Sequence, residues 1–441
     1  KRYIRSMKYV HIHTLGCRLN QAESDAILQK LYELGYEISP KDFPADLCII
    51  HTCAVTHEAE VKCRKVIRHT IRQNPNAEIV VIGCYVEKDI ETLKKIPGID
   101  LIVDNKRKMD WFPYIKGKKQ ETPYLLTGST WKLTALDCSI TKPVPIPGFH
   151  RANIKIQEGC DCYCSYCIIP YLRGPSRSRN IQEILQEINW RIEAGVKEIV
   201  LTGINIGNYN FEGKNLINLL DAIYERFGNQ ARIRLSSIEI TSLNEEFLIR
   251  MKDNQFPLVP YLHIPLQSGS NTILKKMNRQ YIRETYRDFV MQAIETVPNI
   301  GISSDVLVGF PGETTSLFEE TLHFLEHLPI FFLHIFPYSP REGTPSYSFP
   351  EQVANSEIDR RVDVLIELSK RKRNLFYKKS QNSVRTVLFE EKVNNCWQGY
   401  TDNYIRVSVK SPDCLENKLC NVRLDNISVE YMSGTVVNII K

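Results

Sequence analysis

The chain has 441 residues, which is too many for one hydrophobic core and predicts two to four domains. With 43% hydrophobic and 24% charged residues, its composition is that of an ordinary soluble globular protein. No apolar run is long enough to span a membrane, and the N-terminal KRYIRSMKYVHIH lacks the apolar core of a signal peptide. We therefore expect a cytoplasmic protein with no membrane partner. The net charge of +6 permits a polyanionic partner without arguing for one.

The first part of the chain alternates apolar strand-like runs with charged helical segments. The strand candidates are KYVHIHTL, DLCIIHT, EIVVIG and LIVDN. This alternation predicts a parallel α/β sheet in a first domain at residues 7–120. A stretch rich in proline, glycine and polar residues follows, and we place a linker at residues 121–145.

Six further strand candidates occupy the next part, which we place at residues 146–378. They are ANIKIQ, EIVLTG, IRLSSIEI, YLHIPLQ, GISSDVLVG and FFLHIFPY, separated by helical stretches. Six such repeats predict a (βα)6 partial barrel with its chemistry at the carboxyl ends of the strands. The short alternating strands at residues 380–441 lack a helical period and predict a small antiparallel β-barrel.

The segment EGCDCYCSYCIIP places four cysteines close together, at Cys160, Cys162, Cys164 and Cys167. One interpretation is a zinc site that uses all four thiolates. Structural zinc usually takes two ligand pairs that lie a dozen or more residues apart, and no second Cys/His pair follows here. The alternative is an iron–sulfur cluster held by Cys160, Cys164 and Cys167, in which Cys162 points away.

Three thiolates leave one iron of a four-iron cluster open. An open iron can chelate S-adenosylmethionine and deliver an electron to its sulfonium, which releases a carbon radical. The segment follows the first strand candidate of the barrel, where barrel enzymes place their chemistry. This arrangement resembles the radical S-adenosylmethionine superfamily.

Three single cysteines, Cys17, Cys53 and Cys84, each follow a predicted strand of the first domain. The carboxyl ends of parallel strands lie at one edge of the sheet, so these thiols are expected to meet there. A lone cysteine is also a common small apolar residue, as we expect for Cys48 and Cys63. Position alone leaves a shared cluster and three unrelated buried thiols both open.

Motifs along nearly the whole chain resemble, in order, those of the methylthiotransferases. They are HTLGCRLNQAESDAI, HTCAVTHEAE, IGCYVE, EGCDCYCSYCIIPYLRGPSRSR, LTGINIGNY, LSSIEI, HIPLQSGS, KKMNRQY, DVLVGFPGET and HIFPYSPREGT. The resemblance implies a methylthiotransferase domain, a radical S-adenosylmethionine barrel and a C-terminal TRAM domain. His51, and Asp161 to Tyr163, depart from the residues usual in the family without removing a cysteine.

The resemblance also implies the cofactors. Cys17, Cys53 and Cys84 would hold an auxiliary [4Fe-4S] cluster, and Cys160, Cys164 and Cys167 the radical-generating one. Two S-adenosylmethionine molecules would be used per turnover, one to methylate a sulfur on the auxiliary cluster and one to form a deoxyadenosyl radical. The cofactor-contact candidates at the barrel strand tips are Gly203, Asn205, Glu239 and Gln267.

The first motif, with Arg18-Leu19-Asn20 after the cysteine, is similar to members that act on N6-threonylcarbamoyladenosine at position 37 of tRNA. Isopentenyladenosine and ribosomal protein S12 stay open as substrates, and a redox sensor that binds RNA is a non-enzymatic alternative. Expected partners are the tRNA anticodon stem-loop, a sulfur donor and an electron donor such as flavodoxin or ferredoxin, and we expect a monomer. The RNA-contact candidates are Arg173, Arg177, Arg179, Lys370, Arg371, Arg385 and Arg406.

Overall fold

The computed structural model describes residues 7–40, 43–128 and 150–440. The N-terminal part is a six-stranded, wholly parallel sheet in the order β2-β1-β3-β4-β5-β6. Its elements are β1 (Lys8–Thr14), α1 (Arg18–Glu33), β2 (Tyr36–Ile38), β3 (Leu47–Thr52), α2 (His57–Gln73), β4 (Glu78–Gly83), α3 (Cys84–Lys88), α4 (Ile90–Lys94), β5 (Leu101–Val103) and β6 (Tyr124–Leu126). Every residue of the central strands β3 and β4 is buried, which is typical of parallel strands covered on both faces.

The middle part is an open barrel of six parallel strands, β7, β10, β13, β14, β15 and β16, which are neighbours in chain order. Its elements are β7 (Arg151–Lys155), β8 (Gln157–Glu158), α5 (Ile169–Arg173), β9 (Arg177–Ser178), α6 (Ile181–Glu193), β10 (Glu198–Thr202), β11 (Asn210–Phe211), β12 (Lys214–Asn215), α7 (Leu216–Phe227), β13 (Arg232–Leu235), α8 (Glu245–Lys252), β14 (Tyr261–His263), α9 (Asn271–Lys276), α10 (Arg283–Thr296), β15 (Gly301–Val308), α11 (Thr315–His327), β16 (Phe332–Pro337) and α12 (Asn355–Ser380). The largest hydrophobic core lies between these strands and the helices outside them.

The C-terminal part is a closed five-stranded barrel in the order β17-β18-β19-β21-β20. Its strands are β17 (Val384–Val393), β18 (Cys396–Thr401), β19 (Arg406–Val409), β20 (Leu419–Ile427) and β21 (Met432–Ile439). The predicted α/β fold class, the six-strand partial barrel and the small C-terminal barrel are therefore confirmed.

Some details differ from the sequence-based expectation. Strands β2 and β6 were not predicted, because each is only three residues long. Strand β6 lies inside the expected linker 121–145 and pairs with β5. Residues 129–145 of that linker fall outside the described residues, and the domain bounds stay predictions. No described helix is both long and apolar enough to cross a bilayer.

The three parts are in direct contact. Helix α1 lies along the inner side of β7, where Lys155 donates to Glu23 at 2.7 Å. The turn between β18 and β19 reaches the amino ends of the barrel strands, where Asn403 Nδ2 donates to the carbonyl of Asn299 at 2.9 Å. Both the first domain and the last therefore contribute residues to the middle barrel.

Candidate active site

Cys17, Cys53 and Cys84 follow the three neighbouring strands β1, β3 and β4 at one edge of the first sheet. Cys17 is the N-cap of α1, and Cys84 is the first residue of α3. A Cβ at Gly16, where φ is +100°, would lie 2.8 Å from Cys53 Cβ, so the loops that carry Cys17 and Cys53 touch. The loops of Cys17 and Cys53 therefore lie in contact, and the shared ligation of a cluster by the three thiols stays a prediction.

The donor set of this edge suits an iron–sulfur cluster. Burial raises the pKa of the Cys53 thiol to about 12, and the nearby thiols of Cys84 and Cys17 contribute to the rise. Among the described residues, no three His, Cys, Asp or Glu side chains form a group that could hold a single metal ion. Cysteine thiolates are the usual ligands of an iron–sulfur cluster.

Cys160, Cys164 and Cys167 lie on the loop between β8 and α5. The loop is held in shape by backbone bonds from Cys160 to Gly174 at 3.2 Å and from Cys167 to Cys164 at 2.9 Å. Arg279 donates to Cys164 Sγ at 3.2 Å and pairs with Glu239. Burial raises the pKa of the Cys164 thiol, and the Arg279 guanidinium opposes that rise and so favours the thiolate, the form that ligates iron.

Cys162 does not point away from the other thiols, contrary to expectation. Its thiol is hydrogen-bonded to that of Cys160, and it accepts from Asn205 Nδ2 at 3.6 Å. The next residue, Tyr163, has a φ of +45°, which turns the chain tightly at this point. Cys162 therefore lies among the cluster-loop thiols.

The four expected cofactor contacts lie at strand ends around the same loop. Asn205 is buried, and its Oδ1 has no hydrogen-bond partner, which leaves an acceptor for a bound group. A Cβ at Gly203 would meet Gln157 at 2.9 Å, so this glycine allows close packing of β8 against the tip of β10. Glu239 is engaged by Arg279, and Gln267 has a φ of +68°.

A buried cluster of charges lies between the first domain and the start of the middle barrel, and no sequence motif pointed to it. Lys108, Lys155 and Arg173 surround the carboxylates of Glu23 and Glu158 at 2.6–3.1 Å. Burial alone would raise the pKa of Glu23, but the charges of Arg173, Lys108 and Lys155 hold that pKa well below its usual range. With Arg177, which lies 3.7 Å from Glu158, the cations outnumber the two carboxylates, and this excess of positive charge suits anionic thiolate ligands nearby.

Arg173 is the member of this charge cluster that reaches a thiol. Its Nε donates to Cys84 Sγ at 3.3 Å, and its Nη2 donates to Asn20 Oδ1 at 2.6 Å. Its Nη1 donates to Glu158 Oε1 at 2.7 Å. Arg173 thus connects the end of the radical loop to the edge that carries Cys84.

Three of the expected RNA contacts require correction. Arg173, Arg177 and Arg179 are at most 6% exposed, and Arg179 pairs with Glu187. Since they are buried inside the protein, they do not offer their charges to a phosphate backbone. Their spacing in the sequence did not distinguish internal ion pairing from a basic surface.

The remaining four RNA candidates differ in exposure. Lys370 and Arg371 are exposed on α12 with side chains 54% and 65% accessible. Arg406 is partly exposed on β19, whereas Arg385 is mostly buried against Asp402. Contact of these residues with RNA stays a prediction.

The aromatic residues of the C-terminal barrel divide into core and interface. Trp397 is buried in the barrel core, which is the ordinary role of such residues. Tyr404 instead stacks on Tyr261 of β14, with ring centroids 4.5 Å apart, and on Tyr400. The Tyr404 hydroxyl accepts from Arg18 at 2.7 Å, a contact across 386 residues of sequence.

An open barrel of six parallel strands that carries Cys160, Cys164 and Cys167 at the end of its first strand defines the radical S-adenosylmethionine class. Family models agree: "Radical SAM superfamily" matches residues 154–325, and "Uncharacterized protein family UPF0004" matches residues 9–104. A solved radical S-adenosylmethionine methyltransferase, TsrM from Kitasatospora setae, has a TM-score of 0.55 at 14% identity and covers 77% of each chain. At that identity the likeness concerns the fold alone.

Curated relatives identify the family of the chain within the radical S-adenosylmethionine class. The chain is 37% identical to "Threonylcarbamoyladenosine tRNA methylthiotransferase MtaB" of Bacillus subtilis, over 99% of this chain and 98% of the relative. It is 38% identical to the Chlamydia pneumoniae protein of the same name, over 96% and 97%. A Clostridium tetani "tRNA-2-methylthio-N(6)-dimethylallyladenosine synthase" is 33% identical, over 87% and 86%. The chain belongs to the methylthiotransferase family of radical S-adenosylmethionine enzymes.

Proposed function

We propose that this protein converts N6-threonylcarbamoyladenosine at position 37 of tRNA to its 2-methylthio derivative. The observation that carries the proposal is the near full-length identity to two relatives named for threonylcarbamoyladenosine. The site supports it, since Arg173, on the helix that follows the loop of Cys160, Cys164 and Cys167, donates to Cys84 Sγ of the other thiol set. Isopentenyladenosine, suggested by relatives named for dimethylallyladenosine at 33% identity, is the second candidate.

The cysteines divide between two cofactors in this proposal. Cys17, Cys53 and Cys84 would hold one [4Fe-4S] cluster, and Cys160, Cys164 and Cys167 the other. Together these clusters supply the sulfur to be transferred and the electron that cleaves S-adenosylmethionine.

The chain's own residues would orient these groups. Gln157 Oε1 accepts from the backbone N–H groups of Ile204 and Asn205 at 3.0 and 2.9 Å, which fixes the tip of β10 beside the radical loop. Asn205 would then offer its unpartnered Oδ1 to bound S-adenosylmethionine. Gly203, Glu239 and Gln267 would border the same space. Arg279 would keep a positive charge beside the Cys164 thiolate.

The tRNA anticodon stem-loop is the proposed substrate partner, with Lys370, Arg371, Arg385 and Arg406 as contacts outside the site. Such contacts would make affinity fall as salt rises. A flavodoxin or ferredoxin electron donor, a sulfur donor, a monomeric state and a cytoplasmic location stay predictions.

The test is mass spectrometry of nucleosides after anaerobic incubation of reconstituted protein with tRNA, reductant, sulfide and S-adenosylmethionine. We expect one methylthio group on threonylcarbamoyladenosine and none on isopentenyladenosine when both substrates are offered. Product on isopentenyladenosine alone would overturn the substrate. Deoxyadenosine without either product would point to a protein substrate.

A variant tests the division between the two thiol sets. Cys17→Ala should still release deoxyadenosine but form no methylthio product, because it alters only the set on the first sheet. Cys414→Ala, at an exposed cysteine in the C-terminal barrel, is the matched control and should retain the product. Methylthio product from Cys17→Ala at the wild-type yield would contradict this division.

A further inference from the structure

The inner face of the middle barrel is open to solvent along its last strand. Leu333 of β16 packs outward into the hydrophobic core beneath the helices, so the alternate residues His334 and Phe336 point to the opposite, inner face. His334 is exposed, and Phe336 is 44% exposed. The inner face therefore offers a solvent-accessible space lined by aromatic rings, which we call the barrel lumen.

Polar side chains of β14 and β15 line the same lumen. His263 lies 3.0 Å from Asp305, and its Nδ1 is 2.7 Å from Ser303 Oγ. The rings of His263 and His334 are 5.1 Å apart. The side chains of His263 and Ser303 on this wall of the lumen can donate and accept hydrogen bonds. The Asp305 carboxylate is already paired with His263.

Arg18, the first residue of α1 and the residue after Cys17, brings a guanidinium to this wall. Its Nη2 donates to the Tyr404 hydroxyl at 2.7 Å, and Tyr404 stacks on Tyr261 at the start of β14. The Tyr261 hydroxyl lies 2.7 Å from Ser303 Oγ, the same atom that His263 Nδ1 contacts at 2.7 Å, so these contacts connect Arg18 to the wall of the lumen. Among the residues that the structure describes, no Asp or Glu forms an ion pair with Arg18.

Among the described residues, the hydrogen bond that holds this half-buried guanidinium is accepted by a phenol, which is an unusual arrangement inside a protein. Arginine in such a place normally pairs with a carboxylate, and its planar donors match a carboxylate in a two-point contact. Arg151, Arg232 and Arg234, at the amino ends of the neighbouring strands, already share the carboxylate of Glu198. Among the residues that the structure describes, Arg18 has no such counterion, so a ligand is the natural source of one.

We propose that Arg18 determines substrate specificity by binding the carboxylate of the threonylcarbamoyl group on the target adenosine. The inference rests on the proposed function and adds a residue to it. Residue 18 directly follows Cys17, so a base held here would lie near the sulfur-transfer edge. An isopentenyl group has no charge, so it would leave the guanidinium desolvated without a partner.

The test compares anticodon stem-loops that differ only at the target base, bound to the reconstituted protein under anaerobic conditions. The base carries the threonylcarbamoyl group, the same group as its methyl ester, or no modification. We expect wild type to bind the free carboxylate at least about tenfold more tightly than the ester. Equal binding of acid and ester by wild type would overturn the proposal.

Variants assign the preference to Arg18. Arg18→Gln should lose the tenfold preference for the acid while it binds the ester as wild type does, which also shows that the variant is folded. Arg18→Lys should retain part of the preference, and Arg287→Gln, at an exposed arginine on α10, should retain all of it. An undiminished preference in Arg18→Gln would refute the role of Arg18.

Product analysis separates this inference from the proposed function. If wild type forms the methylthio product equally well from acid and ester, the proposed function stands and the role of Arg18 fails. If wild type binds the acid preferentially but never methylthiolates it, the proposed function fails.

Discussion

Arg173 is the residue whose replacement should disturb the protein most within the buried charge cluster. Its side chain is 1% exposed and donates to Glu158, Glu23, Asn20 and Cys84 Sγ at 2.6–3.3 Å. Arg173→Met preserves much of the length of the side chain and removes all of these donors. The two carboxylates then keep Lys108, Lys155 and Arg177 as cationic partners, while the fixed donor geometry of Arg173 is lost.

The expected cost follows from breaking a buried, multiply bonded ion pair, which is about 3–5 kcal/mol. That loss corresponds to a lowering of Tm by about 6–20 °C for a domain of roughly 150–250 residues. The assay is thermal and urea unfolding of the metal-free protein, followed by a signal from the N-terminal and middle domains. The transition midpoint is the proper quantity because a chain of several domains need not unfold in two states.

The control is Arg287→Met, since Arg287 lies on the surface beside Asp288 with its side chain 51% exposed. Exposed pairs of this kind contribute about 0–1 kcal/mol, so its midpoint should hardly move. If Arg173→Met costs no more than Arg287→Met, the charge cluster does not hold the first two domains together, and our reasoning about it is wrong.

Two further predictions concern α1 and the loop before it. Burial raises the pKa of Asp25 to about 7, so the folded state binds a proton more tightly than the unfolded state and stability falls as pH rises from about 4 to 7. Asp25→Asn should remove this pH dependence of stability and should stabilise the protein at pH 8 by on the order of 2–4 kcal/mol in urea unfolding. An unchanged pH dependence in the variant would show that Asp25 is not its source. Gly16→Ala would place a methyl group 2.8 Å from Cys53 Cβ at a φ of +100°. Gly16→Ala should therefore lower the iron content of the reconstituted protein. The control is Gly213→Ala, because Gly213 also has a positive φ but has no atom near the added methyl group, and it should leave the iron content unchanged. Equal iron content in the two variants would refute the close approach of Gly16 to Cys53.

The sequence alone was sufficient for the order and type of the main elements. Six apolar runs separated by helical stretches fixed the partial barrel, because local periodicity reports which face of each strand is buried. The cysteines at Cys17, Cys53 and Cys84 were expected to converge because parallel strands end at a common edge. Short edge strands such as β6 escaped detection, since three residues carry too little pattern.

Only the tertiary structure decided the roles of the charged residues. Arg173 and Lys155 have the charge of surface residues, and a sequence pattern does not distinguish a solvated charge from one buried by another domain. The contact between Arg18 and Tyr404 joins residues 386 positions apart, which no local spacing encodes. Local periodicity and strand direction thus determined the fold and placed Cys17, Cys53 and Cys84 at one sheet edge, whereas the packing of separate domains determined which charges lie beside that edge.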